Sequence, residues 1–145
     1  MARRTIPVLA SLVLLVSLIP VSAPWAGAHP PVCDVKPLKL KRVQGLLTDD
    51  TKNPVQNAAL TLRRIGKDLE VVAQAKSDSR GRFQFTQVGY GKYYLYAEAP
   101  GFATYAGEIH VSRWRSVETG IILVMEMGVT TGCEPGYART ARMPD

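Results

Sequence analysis

The chain has 145 residues, 46% of them hydrophobic, with 18 basic and 12 acidic side chains and a net charge of +6. That length suits one domain, and so mild a charge excess lacks the dense basic patch of a nucleic-acid binder. With two cysteines and two histidines, the chain is poorly supplied for a zinc centre, and no cofactor is expected.

Residues 1–28 read as a secretory signal. Arg3 and Arg4 form a positive start, and residues 6–19 are apolar apart from Pro7, Ser11 and Ser17. Pro20 breaks the run, and Ala26-Gly27-Ala28 supplies a small-x-small cleavage site. A spanning helix needs about 20 apolar residues, more than this run offers. Cleavage after Ala28 is expected, with no stable membrane span afterwards and a secreted or periplasmic location. The chain from His29 onward keeps 16 basic against 12 acidic residues, a net charge of +4. Cys33 and Cys133 both lie beyond the signal, in an oxidising compartment, so an intramolecular disulfide between them is expected. Free thiols or a bridge between chains are the alternatives.

Residues 29–41 form a proline-rich lead-in, with Pro30, Pro31 and Pro37. Short alternating runs separated by turn residues follow, over 42–128. The first predicted strand covers 42–48, with Val43, Gly45 and Leu47 on one face. Counting back by twos puts Lys41 and Lys39 on that inward face, so either the strand starts later or a bulge shifts the phase. Residues 49–54 make a turn rich in Asp and Asn. Ala58, Leu60 and Leu62 alternate in the second strand, and residues 70–76 form a third, less regular one. The stretch 77–81 is a strong turn signal, in which Asp78 can accept backbone N–H groups and Gly81 can take a left-handed conformation. Phe83 and Phe85 then point one way. Tyr93, Leu95 and Ala97 alternate with Tyr94 and Tyr96 in the fifth strand, which Pro100-Gly101 ends. Residues 107–111 and 117–127 complete the set. In the last run Ile121, Leu123, Met125 and Met127 share a face, while Ile122 and Val124 make the other face apolar too, which predicts cover on both sides. Residues 129–145 read as a polar C-terminal tail. The expected fold is all-β, a seven-stranded antiparallel Greek-key sandwich.

The order of these pieces resembles a known family. It runs Val43-x-Gly45-x-Leu47-x-Asp49, Pro54-Val55-x-x-Ala58-x-Leu60, Asp78-x-x-Gly81-x-Phe83-x-Phe85, Gly91-x-Tyr93-x-Leu95 and Ala99-Pro100-Gly101-Phe102. Residues 43–127 thereby resemble the carboxypeptidase regulatory-like domain, a transthyretin-like (starch-binding-domain-like) β-sandwich. The resemblance implies that fold and a non-catalytic binding or scaffolding role. It does not imply peptidase activity, because no zinc-ligand spacing accompanies it.

Enzymes on transthyretin-like sandwiches offer three comparisons. Hydroxyisourate hydrolases carry several histidines and a tyrosine-arginine-glycine-serine tail, whereas this chain has only His29 and His110 and ends Met143-Pro144-Asp145. Intradiol dioxygenases hold iron with paired tyrosines and histidines, and the histidine pattern is missing. Adhesin repeats link a first-strand lysine to a last-strand asparagine, but Asn53 and Asn57 lie far from the last strand. Cleavage would make His29 the N-terminus, where its amine and imidazole can chelate copper, with His110 as a third nitrogen donor. Against this, nothing in the sequence brings the leader to His110. Arg113-Trp114-Arg115 is the leading contact candidate, able to stack on a sugar ring or anchor a partner protein. The competing reading folds Trp114 back over the core. Tyr94 and Tyr96, with Tyr90 and Tyr105, offer an aromatic platform or else plain cross-strand packing. Asp49, Asp50 and Asn53 lack the spacing of a calcium loop and read as turn caps. The expected function is a non-catalytic exported domain contacting carbohydrate or another envelope protein. A purely structural envelope role is the second reading, and a copper protein the third.

Overall fold

The computed structural model describes residues 36–66, 68–114, 119–128 and 136–143. These residues hold nine strands and no helix: β1 (Leu38–Leu40), β2 (Gln44–Asp49), β3 (Ala59–Arg64), β4 (Val71–Lys76), β5 (Arg82–Gln84), β6 (Gly91–Glu98), β7 (Tyr105–Val111), β8 (Thr119–Met125) and β9 (Tyr137–Arg142). A five-stranded sheet runs β1-β7-β6-β3-β4 and a four-stranded sheet runs β5-β2-β8-β9. The period-2 alternation puts one face of each sheet inside. Leu60, Leu62, Tyr93, Leu95, Ile109 and Val111 from the first sheet share one buried cluster with Leu47, Phe83, Phe85, Ile121, Leu123 and Met125 from the second. Each such side chain contributes roughly 1.5–3 kcal/mol relative to remaining in water.

Two expectations are corrected. The described residues form nine strands rather than seven, and the sheets are mixed rather than antiparallel, because β1 runs parallel to β7 and β2 parallel to β8. Alternation reports a strand's faces but not its neighbour's direction. Here the chain builds β3 to β7 before β8 returns beside β2. The added strands are β1, within the proline-rich lead-in, and β9, within the stretch read as a tail. The phase conflict around Lys39 and Lys41 also resolves. The chain bends at residues 41–42 and passes from one sheet to the other, so Leu40 and Val43 are both buried while Lys39 and Lys41 are exposed. The irregular third predicted strand, β4, owes its phase to a bulge, because the β3–β4 register shifts between Leu62 and Arg63. The last core strand is shorter than expected: β8 stops at Met125, and Met127 is exposed and makes only an isolated bridge to Phe102. Val124 on its outer side is nevertheless buried.

Two glycines are required by close approach. Gly45 sits where a Cβ would strike the Ile121 carbonyl and lie 2.7 Å from the Phe83 ring. Gly81 has φ of 71°, and a Cβ there would strike the Leu47 carbonyl, whose residue's own N–H donates to Gly81 O at 2.8 Å. Buried Ser77 joins the turn beside it to the core: Ala58 N–H donates to its hydroxyl at 2.9 Å, and the hydroxyl donates to Val55 O at 2.7 Å.

Candidate functional site

One end of the sandwich carries two exposed aromatic side chains, Tyr90 and Trp114, while a third, Tyr137, opens β9 at the other end. Gly91, which opens β6, pairs with Val111, which closes β7. The segments flanking that pair place Tyr90 and the Ser112–Trp114 turn at the same end. The Ser112 N–H donates to Leu40 O at 2.8 Å, which fixes the turn to the end of β1, and Trp114 N–H donates to Ser112 Oγ at 3.3 Å. Trp114 is 81% exposed and Tyr90 66% exposed. The Arg113 guanidinium lies 4.6 Å from the centre of the Trp114 ring. The reading in which Trp114 folds back over the core is therefore overturned. Its indole stands in water, braced by a cation on one face. Arg115, the other flanking arginine, lies outside the described residues, as do His29, Cys33 and Cys133.

The tyrosine platform does not form as an open surface. Tyr94 and Tyr96 do share the outer face of the five-stranded sheet, their rings 6.5 Å apart and edge to face. Tyr96, however, is only 4% exposed, and the Arg63 guanidinium lies 5.7 Å from its ring centre. Burial raises the ionisation of its hydroxyl, with the charge of Arg63 working the other way. Tyr105 pairs with Ala97 on the opposite, inward face and is buried. The cross-strand packing reading describes this face better than a ligand platform.

His110 lies on the same outer face, opposite Lys92 on one side and Lys39 on the other. Its Nε2 is 2.6 Å from Glu108 Oε1, so this nitrogen is already engaged. Among the described residues, no three His, Cys, Asp or Glu side chains gather as a metal set. Asp49 acts as a turn cap. One carboxylate oxygen accepts from Thr51 Oγ1 and Asn53 N, each at 2.7 Å, and the other from Asn53 Nδ2 at 3.3 Å. These bonds, the Thr51 hydroxyl first, hold the Asp49 carboxyl below the usual carboxylate range.

Alternation alone does not reveal a basic cleft at the sheet edges. A cleft of about 570 Å³ opens between the edge strands β1 and β9, lined by Lys36, Lys39, Arg139 and Thr140, with Leu38 and Ala138 at its apolar base. Lys39 shows in the sequence only as a residue that breaks the alternation, and Arg139 sits in a strand too short of apolar residues to be read. A smaller cleft of about 360 Å³, lined from both sheets where β4 passes to β5, mixes Lys76 and Arg82 with Asp78. Asp78 is occupied there, accepting from Arg80 N and Arg82 N at 2.8 Å.

The sequence matches the carboxypeptidase regulatory-like domain over residues 42–123, more than half of the chain. The chain belongs to that family. Its motif residues Val43, Leu47, Phe83, Phe85, Tyr93 and Leu95 are all buried, so in this carboxypeptidase regulatory-like domain the motif acts in folding. No curated protein matches the chain. Among solved structures it is similar to Klebsiella pneumoniae 5-hydroxyisourate hydrolase, at 16% identity and a TM-score of 0.52, covering 69% of this chain and 98% of that one. A variant of Acinetobacter radioresistens catechol 1,2 dioxygenase gives 9% identity and a TM-score of 0.39, over 71% of this chain and 61% of that one. The hydrolase likeness shows a shared transthyretin-like fold and nothing of the reaction.

Proposed function

We propose that this chain is a non-catalytic exported binding domain that contacts carbohydrate through the end of the sandwich bearing Trp114. The observation that carries this reading is the exposed indole with the Arg113 guanidinium against it. An aromatic ring of that size left in water contributes little to the fold. Its apolar face is instead available to stack on the C–H face of a sugar ring. Tyr90 at the same end offers a second ring. The non-catalytic part of the reading is supported by the burial of the family motif. The exported part rests on the signal-like residues 1–28 and the cysteine pair. The copper reading is the weaker one, since His110 would have to release Glu108 to present its Nε2.

Titrating the protein with a panel of soluble polysaccharides, followed by tryptophan fluorescence and calorimetry, tests this directly. A bound polysaccharide should change Trp114 emission, and Trp114→Ala should weaken its binding at least tenfold while leaving thermal stability within about 0.5 kcal/mol, as for an exposed site. Undiminished binding by Trp114→Ala would remove this end as the contact surface. If no polysaccharide binds and cross-linking in the native envelope recovers a protein neighbour, the structural role replaces the glycan reading.

A further inference from the structure

We infer that the cleft between β1 and β9 binds the carboxylate groups of an acidic polysaccharide, so that the glycan met by Trp114 is a uronate polymer rather than a neutral one. This rests on the carbohydrate reading above and adds the charge of the substrate to it.

Among the described residues, the cleft carries three cations, Lys36, Lys39 and Arg139, and no carboxylate. The acid on the neighbouring strand, Glu108, is engaged by His110 at 2.6 Å and is not among the residues that line the cleft. Both walls are sheet edges: β1 pairs only with β7 and β9 only with β8 among the described strands. Each edge therefore presents backbone N–H and C=O groups with no ladder partner, donors and acceptors that suit a hydroxyl-rich chain. A guanidinium with two ammonium groups binds carboxylates by charge-assisted hydrogen bonds, Arg139 in bidentate fashion.

Direction links the cleft to the aromatic end. β1 runs parallel to β7 and finishes at Leu40, whose carbonyl holds the Ser112–Trp114 turn. β9 finishes at Arg142, opposite Thr119 where β8 begins after that same turn. Both walls thus lead from Lys36 and Arg139 toward Trp114. A polymer with one charge per sugar, lying along the cleft, meets cations first and a stacking ring at its end. A nucleic acid, with one charge per ~1.7 Å of duplex, needs a longer run of cations than three.

The test uses the full chain and polygalacturonate, with fully methyl-esterified polygalacturonate as the uncharged control of the same backbone. The acid form should bind at least tenfold more tightly than the ester, and added salt should erode that difference. Lys39→Gln combined with Arg139→Gln should remove the preference while leaving ester binding as it was, and Trp114→Ala should weaken both. Equal binding of acid and ester, or a double variant that keeps the preference, overturns this inference and leaves the carbohydrate reading standing. Binding of neither form overturns this inference, and the polysaccharide panel then decides the carbohydrate reading by itself. Polyphosphate or DNA binding as tightly as polygalacturonate, with the same dependence on Lys39 and Arg139, would reduce the cleft to plain charge attraction and also overturn it. Both substituted positions are exposed, and circular dichroism confirms that the variants keep the sheet.

Discussion

Tyr105 carries a hydroxyl into the closed interior, where burial pushes its ionisation up to about 12 from the ordinary 10.0. Gly107, two residues on along the inward face, leaves room for it, because a side chain there would strike that hydroxyl. The consequence for stability has a definite sign. Unfolded, the phenol loses its proton near 10.0, whereas folded it keeps the proton to about 12. The contribution is therefore fully present below pH 10 and is lost as pH rises through the folded value. Two units correspond to roughly 2–3 kcal/mol. Tyr105→Phe keeps the ring and removes the titration. Denaturant unfolding measured between pH 10 and pH 12 should show a shallower loss of stability in the variant. Parallel slopes would mean that the hydroxyl titrates in water. Trp114 is the opposite case, a large ring whose exposure the residue type alone argues against. Tryptophan's average burial favours the core, and only the turn fixed by Leu40 O shows it outside.

Among the elements, those whose inward residues alternate over two or more periods were legible, as in Leu60 and Leu62 on β3 or Tyr93, Leu95 and Ala97 on β6. β1 was hidden because it is three residues long and follows Pro37, which leaves only Leu38 and Leu40 to signal it. β9 reads Tyr-Ala-Arg-Thr-Ala-Arg, with its two alanines three apart and most of its side chains exposed, so it carries almost no apolar period. The cleft between these two strands was consequently invisible, although each of its cations was in view. Parallel pairing was out of reach for a different reason, since it depends on where the chain returns. One parallel pair also explains Gly45, which belongs to β2 and is wedged between Ile121 of β8 and Phe83 of β5. Gly45→Ala drives a methyl into backbone that both sheet partners hold in place. It should lower the free energy of unfolding by at least about 1–3 kcal/mol, the usual range for overpacking, as a shift in urea midpoint. An unchanged midpoint would mean that β2 and β8 can separate without cost.

At the scale of the whole molecule, the two open sides of the sandwich are closed differently. On one side β4 passes to β5 through the tight 77–81 turn, where Gly81 N–H donates to Asp78 O at 2.9 Å and Arg82 O accepts from Asp78 N at 2.9 Å. On the other, β1 and β9 face each other across the basic cleft with no ladder between them, and three cations there repel one another. Cys33 and Cys133 lie outside the described residues, but each is three residues upstream of a described one, Lys36 and Gly136, where the chain enters those facing strands. Three extended residues reach about 10 Å, and Lys36 and Ala138 line the same cleft. A Cys33–Cys133 bond would therefore join the two walls at the end remote from Trp114. Closing a loop of about 100 residues restricts the unfolded chain by ~4–5 kcal/mol in the chain-entropy model. Protein produced in an oxidising compartment should show no alkylatable thiol by mass spectrometry until it is reduced. Reduction should then lower the unfolding midpoint and weaken acidic polysaccharide more than its ester, because the walls that carry Lys39 and Arg139 lose their tie. Two free thiols in the unreduced protein would show that no such bond ties the two walls.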